Sequence, residues 1–191
     1  MKHFISSLVL AATLTSLTHA TYAFEADFGF GIDLTRSNLK LDNNSGLTAN
    51  DYISDDGDAL GGSAYAKMRE VNGFVAEAGF VHGSDTLFGG TFDHYSYDGL
   101  FIRAGYEWRV GKNFSITPLL GLQHTRLYFT EGMFLNSGAE EEVKVTSTRP
   151  IAGLKLGIPI GQTFEMYYRL QYSDLSEGNL MQQSAGVAFT F

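Results

Sequence analysis

The sequence contains no cysteine, only 3 prolines in 191 residues, and 13 basic against 21 acidic side chains. Without cysteine, disulfides and lipid attachment through a thioether are both excluded, so pairing and packing alone hold the fold. Many small secreted domains rely on disulfides, which makes their absence informative here. The net charge of −8 argues against a nucleic-acid partner, because phosphate binding needs basic surface. No apolar run reaches the roughly 20 residues that a membrane helix needs. Glycine (22) and aromatics (15 Phe, 10 Tyr, 1 Trp) are abundant instead.

Residues 1–23 read as a secretory signal peptide. Lys2 gives a basic start, Phe4 to Leu14 is apolar, and two small-residue exits follow, Thr18-His19-Ala20 and Thr21-Tyr22-Ala23. Cleavage after Ala20 or after Ala23 satisfies the rule equally well. The segment carries one base and no acid before Ala20, so its removal leaves the mature chain more acidic. Residues 24–191 then form one domain.

From Phe24 the pattern has a period of two. Phe24, Ala26, Phe28, Phe30, Ile32 and Leu34 alternate with Glu25, Asp27, Gly29, Gly31, Asp33 and Thr35, which is a strand signature. Similar segments recur at 64–69, 74–81, 100–109, 114–123, 154–160, 164–173 and 186–191, making eight in all. Short joints lie at Val71-Asn72-Gly73, Gly111-Lys112-Asn113 and Gly161-Gln162-Thr163. Long ones cover about 43–58, 84–93, 131–142 and 174–179. Alternating short turns and long loops, with apolar and polar faces on every strand, predict an all-β, eight-stranded, antiparallel up-and-down transmembrane barrel. A soluble sandwich would not set charges opposite Phe, Trp and Tyr on every strand. Gly73 and Asn113 suit the left-handed position of a three-residue hairpin, and Thr163 does not.

Even-numbered residues face lipid in the first seven strands, and the parity flips across the last loop. The inward face then carries nearly balanced charges, including Lys67, Glu77, Arg103, Glu107, Arg109, Arg149, Lys155, Glu165 and Arg169. Eight strands enclose a space that side chains fill, and buried charges there must pair. The register sets Lys67 opposite Glu77. A filled, ion-paired lumen makes a poor general pore. On the outward face, Phe24, Phe74, Trp108, Phe114, Phe164 and Phe191 gather at the short-turn end as an aromatic girdle.

The closing segment Ala185-Gly-Val-Ala-Phe-Thr-Phe191 is similar to the strand signal that the barrel-assembly machinery reads, with Val187, Phe189 and Phe191 as its apolar positions. Phe164-Glu-Met-Tyr-Tyr-Arg-Leu-Gln-Tyr172 is similar to the penultimate strand of OmpA-like barrels. On these segments and on its strand pattern, the chain resembles the small outer-membrane barrels of the OmpA membrane-domain and OmpX/Ail group. The resemblance implies a bacterial outer-membrane location, extracellular loops, periplasmic termini and activity that sits in the loops. The peptidoglycan-binding domain of full OmpA is not expected here.

Several residues are candidates for chemistry. His94, Ser96 and Asp98 share the lipid-facing parity of one strand, and imidazole, hydroxyl and carboxylate together can activate a serine for acyl transfer. His94-Tyr95-Ser96 is similar to the His-x-Ser pair of lipid A deacylases, although the surrounding motif is not theirs. A polar rim at headgroup level is the preferred reading. His82, His94 and His124 match no metal-ligand spacing. Asp51 and Asp55-Asp-Gly-Asp58 lack the closing Glu of a calcium loop and read, like Glu140-Glu-Glu142, as solvated turns. Arg36, Lys40, Arg126 and Lys144 lie just above the apolar band, where cations meet lipopolysaccharide phosphates.

The sequence therefore predicts a non-enzymatic surface barrel acting in adhesion or envelope integrity. Its expected partners are outer-membrane lipid, lipopolysaccharide, the assembly machinery, and host or matrix proteins, with no cofactor, metal or nucleic acid. Two alternatives stand: a lipid A-modifying hydrolase at His94 and Ser96, and a small-solute channel of the OmpW kind.

Overall fold

The computed structural model describes residues 26–41, 56–85, 93–131, 142–175 and 178–191. The signal peptide, Phe24, Glu25, most of the acidic turns and the middle of each long joint lie outside the described residues. The strands are β1 Ala26–Leu41, β2 Asp56–Glu70, β3 Phe74–Ser84, β4 Asp93–Tyr106 continuing as Trp108–Val110, β5 Phe114–Glu131, β6 Glu142–Ile160, β7 Phe164–Leu175 and β8 Gly178–Thr190. Both parts of β4 pair with β5 in one unbroken register, so the interruption at Glu107 does not divide the strand. Pro118 lies beside it with no N–H to offer the ladder. The Glu107 N–H bonds back to Gly73 O at 2.7 Å instead.

Each strand pairs antiparallel with its sequence neighbours, and β8 returns to β1, closing an eight-stranded barrel. A closed sheet leaves no unpaired edge, as a membrane-embedded sheet requires. The chain end extends the seam: Phe191 N–H donates to Phe28 O at 2.8 Å. Phe189 packs there on Phe30 and Phe164, with ring centroids 5.2 and 5.1 Å apart.

The parity follows the sequence pattern. Even residues point outward from β1 to β7, whereas in β8 the odd Met181 is exposed beside buried Leu180 and Gln182. The short joints at 71–73, 111–113 and 161–163 are turns. Gly73, Gly111 and Gly161 adopt φ of 100°, 70° and 72°. The third turn thus takes its left-handed residue from Gly161, so Thr163 is not needed for it.

Two expectations change. The last joint spans only residues 176–177, and the strands run well past the apolar segments that reveal them. The interior of that extension is apolar. Leu39, Leu41, Ala59, Tyr95, Leu127, Phe129, Leu175 and Leu180 are buried together at the long-loop end. The same strands expose Arg36, Asn38, Lys40, Asp58 and Arg126. Below this level the polarity is reversed, with Phe28, Phe30, Ile32, Leu34, Leu100, Ile102, Leu120 and Leu122 exposed around a polar lumen.

Candidate functional site

The lumen is the most elaborate part of the molecule. Among the described residues, four carboxylates (Asp33, Glu77, Glu107, Glu165) and four cations (Lys67, Arg103, Lys155, Arg169) are buried, a neutral set. Period-two alternation places all eight on the inward face. Lys67 and Glu77 are Cα partners, as expected, but their side chains do not pair. Lys67 reaches Glu165 at 3.1 Å, and Glu77 binds Arg103 at 2.7 Å and Lys155 at 3.6 Å. Lys155 also meets Glu165 at 3.0 Å, which links the two halves.

A second cluster centres on Asp33. It accepts hydrogen bonds from Arg169 (2.6 Å), Tyr167 (2.8 Å), Ser63 (2.8 Å) and Thr35 (2.8 Å). Such multiple acceptance offsets part of the desolvation cost of a buried carboxylate. Aromatic rings fill the remaining space: the Arg103 guanidinium lies 4.2 Å from the Phe101 centroid and 5.4 Å from that of Tyr65. Inward glycines make room for the rings. A Cβ on Gly31 would collide with the Tyr65 ring, and one on Gly83 with Tyr97.

Above the charges, Arg103 donates to Gln171, which donates to Gln123 and Gln182. Gln182 donates to the Tyr97 hydroxyl, which also meets Ser37. The apolar cluster then caps the lumen. At the opposite mouth, Arg69 pairs with Asp27 (2.7 Å) and Glu107 (3.6 Å), and Arg109 with Glu107 (3.0 Å). Arg149, expected in the lumen, is exposed.

Of the outer candidates, the structure places His94 in register with Thr130, and Ser96 with Ser84 and Tyr128. Asp98 takes a different histidine: its carboxylate accepts from His82 Nδ1 at 2.8 Å across the strand pair. Sequence reading overlooked this pair because the long β3–β4 joint hides their register. Lys155 and Glu165 are central to the network, although their inward parity was their only signal. Among the described residues, no three His, Asp or Glu side chains could hold a metal.

The four outer cations differ in setting. Arg36 binds Asp58 at 2.7 Å, and this bond together with the charge attraction holds its pKa above the usual arginine value. Lys144 lies 5.5 Å from the Tyr128 ring centroid. Lys40 is in register with Asn179. Arg126 stands beside Asp98 in register and forms no ion pair with it. Phe74, Trp108 and Phe191 are exposed at the short-turn end, with Phe114 and Phe164 partly so.

No protein-family model and no curated sequence matches the chain. Solved structures do. The attachment invasion locus protein Ail of Yersinia pestis is 17% identical, with a TM-score of 0.64 over 87% of this chain and 99% of Ail. Neisserial surface protein A is 12% identical with a TM-score of 0.68, again over 87% and 99%. A major outer-membrane protein of Thermus thermophilus is 9% identical with a TM-score of 0.59 over the same shares. The chain therefore has the eight-stranded antiparallel barrel fold of small outer-membrane proteins such as Ail and Neisserial surface protein A.

Proposed function

We propose that the chain is an integral protein of the bacterial outer membrane, carries no solute, and acts through its external loops and rim in adhesion or envelope integrity. The observation that carries this reading is the inverted polarity of the barrel, an apolar exterior around a neutralised, filled lumen. An exposed belt that includes Leu34 at 72% and Leu120 at 70% has no stable place in water. A lumen packed with ion pairs and capped by apolar side chains holds no continuous water column. The short turns and both chain ends then face the periplasm, and the long joints face outward.

Arg36, Lys40, Arg126 and Lys144 sit where lipopolysaccharide phosphates would meet the barrel. Ail is by name an attachment protein, and one of its structures contains the heparin analogue sucrose octasulfate. Adhesion is accordingly the class of role to test first. The net charge of −8 makes a polyanion a poor first probe for this chain. Val187, Phe189 and Phe191 serve recognition by the assembly machinery in the same reading.

Two experiments test it. In planar bilayers the folded protein should show no steady conductance, and stable openings would overturn the closed-lumen part. Binding of folded protein to matrix and serum proteins, lost on exchange of the long joints, would support adhesion. Retention of binding after all four exchanges would move the activity elsewhere.

A further inference from the structure

The outward face of β4 carries a groove of about 280 Å³ at the level where the apolar belt ends. Its lining includes Phe80, His82, Asp98, Leu100, His124 and Arg126. The register explains the grouping, since Asp98 lies between His82 on β3 and Arg126 on β5, and Leu100 beside His124. We propose that this groove binds a phosphorylated amphiphile of the outer leaflet, its phosphate against Arg126, His82 and His124 and its acyl chain along Phe80 and Leu100. The inference rests on the membrane reading above and adds a defined site to it.

Both imidazoles are already oriented. The Asp98 carboxylate can only accept, so His82 Nδ1 donates to it, and His124 Nδ1 bonds to Thr148 Oγ1 at 2.7 Å. Each ring therefore leaves Nε2 for the groove that it lines, where an imidazolium donates to a phosphate oxygen and a neutral His82 accepts from a protonated one. Asp98 is engaged with His82, and among the described residues Arg126 has no ion-pair partner. A guanidinium with no ion-pair partner among the described residues, beside two fixed imidazoles, suits a phosphate, which takes several charge-assisted hydrogen bonds at once. The lower wall suits only a lipid, because Phe80 and Leu100 are 56% and 64% exposed and offer a free anion nothing. Arg36, tied to Asp58, lacks this arrangement.

The test uses the folded barrel in phosphatidylcholine nanodiscs doped with bis-phosphorylated lipid A or its dephosphorylated form. Retained lipid is counted by native mass spectrometry after detergent extraction. The phosphorylated form should be retained, Arg126→Gln should lower its retention about tenfold, as the loss of one charge-assisted contact predicts, and Lys112→Gln, in an exposed turn at the opposite end of the barrel, should not. Equal retention of the dephosphorylated form, or no effect of Arg126→Gln, would overturn the proposal. Displacement by inorganic phosphate alone would make it a free-anion site and overturn the lipid assignment. Heat-modifiable gel mobility of the same samples reports barrel insertion, so a failure of the membrane reading shows separately.

Discussion

Lys67 and Glu77 face each other across β2 and β3, yet each finds its counter-charge on another strand, Lys67 on Glu165 of β7 and Glu77 on Arg103 of β4. Lys67 thus ties the wall across the interior, whereas Glu77 bonds its register partner on the neighbouring strand. A double-mutant cycle for Lys67→Ala with Glu165→Ala should give a coupling of about 1–3 kcal/mol, as for side chains in one network. The cycle for Lys67→Ala with Glu77→Ala should give clearly less. Equal couplings in urea titrations of vesicle-inserted protein would contradict the crossed arrangement.

Glu77 is the most exacting single position, since its carboxylate balances both Arg103 and Lys155 with no access to solvent. Glu77→Gln keeps the shape and removes the charge. It should cost roughly 3–5 kcal/mol, the penalty for stranding buried cations. Replacing an outward residue at the same height, Ala78→Val, should change stability by less than about 0.5 kcal/mol in the same titration.

The apolar cap of the lumen should unfold separately from the ionic layer. Leu180→Ala removes a fully buried side chain from that cluster, and a cost of about 2–5 kcal/mol is expected. Hydrogen exchange should quicken at the outer ends of β1 and β8, near Leu39 and Leu180, while amides around Lys155 and Glu165 keep their protection. Uniform loss of protection would show that the two layers are one cooperative unit.

Arg36 and Asp58 give a pH effect outside the apolar band. The hydrogen bond from Arg36 holds the Asp58 carboxyl below the usual aspartate value. A depressed carboxyl contributes stability that is complete above its unfolded value, about pH 4, and that fades as pH falls through the folded value. The contribution is small because both side chains are largely solvated. Arg36→Gln should raise the Asp58 titration midpoint toward the ordinary range, read by carboxyl NMR. An unmoved midpoint would mean that the pair does not form in solution.

Phe189 should matter more than Phe191. It touches Phe30 and Phe164 across the closing seam, whereas Phe191 is 79% exposed. Phe189→Ala should cost about 1–3 kcal/mol from two aromatic pairs, and it should slow folding into lipid vesicles. Phe191→Ala should change vesicle stability less, and any larger effect on assembly in cells would then reflect recognition.

Much of this is legible in the sequence because strand parity is an arithmetic property. Every odd residue from Asp33 to Arg169 that carries a buried charge reads as inward, and three-residue turns carry the register from β2 to β3 and from β6 to β7. Long joints transmit no register. That is why the His82–Asp98 contact is invisible in the sequence and why Asp98 groups there with His94 along its own strand. The side-chain exchange around Lys67 is equally hidden, since period two fixes which face a charge occupies but not which of the nearby carboxylates it reaches. The strand extensions escape notice because the apolar residues change face there: Leu39 and Leu41 take the parity of Asp33.

That change of face on continuous strands acts as a waterline. Sliding the barrel outward by one pair of residues would lift Leu34 and Leu100 into water, and sliding it inward would submerge Arg36, Asp98 and Arg126. A charged side chain drawn to mid-bilayer costs about 2–4 kcal/mol on the lipid face of a barrel, and several strands would incur a share of it together. The molecule therefore floats at one draught whatever the loops above it are doing. A tug on those loops should strain the surrounding bilayer before it changes how deep the barrel sits.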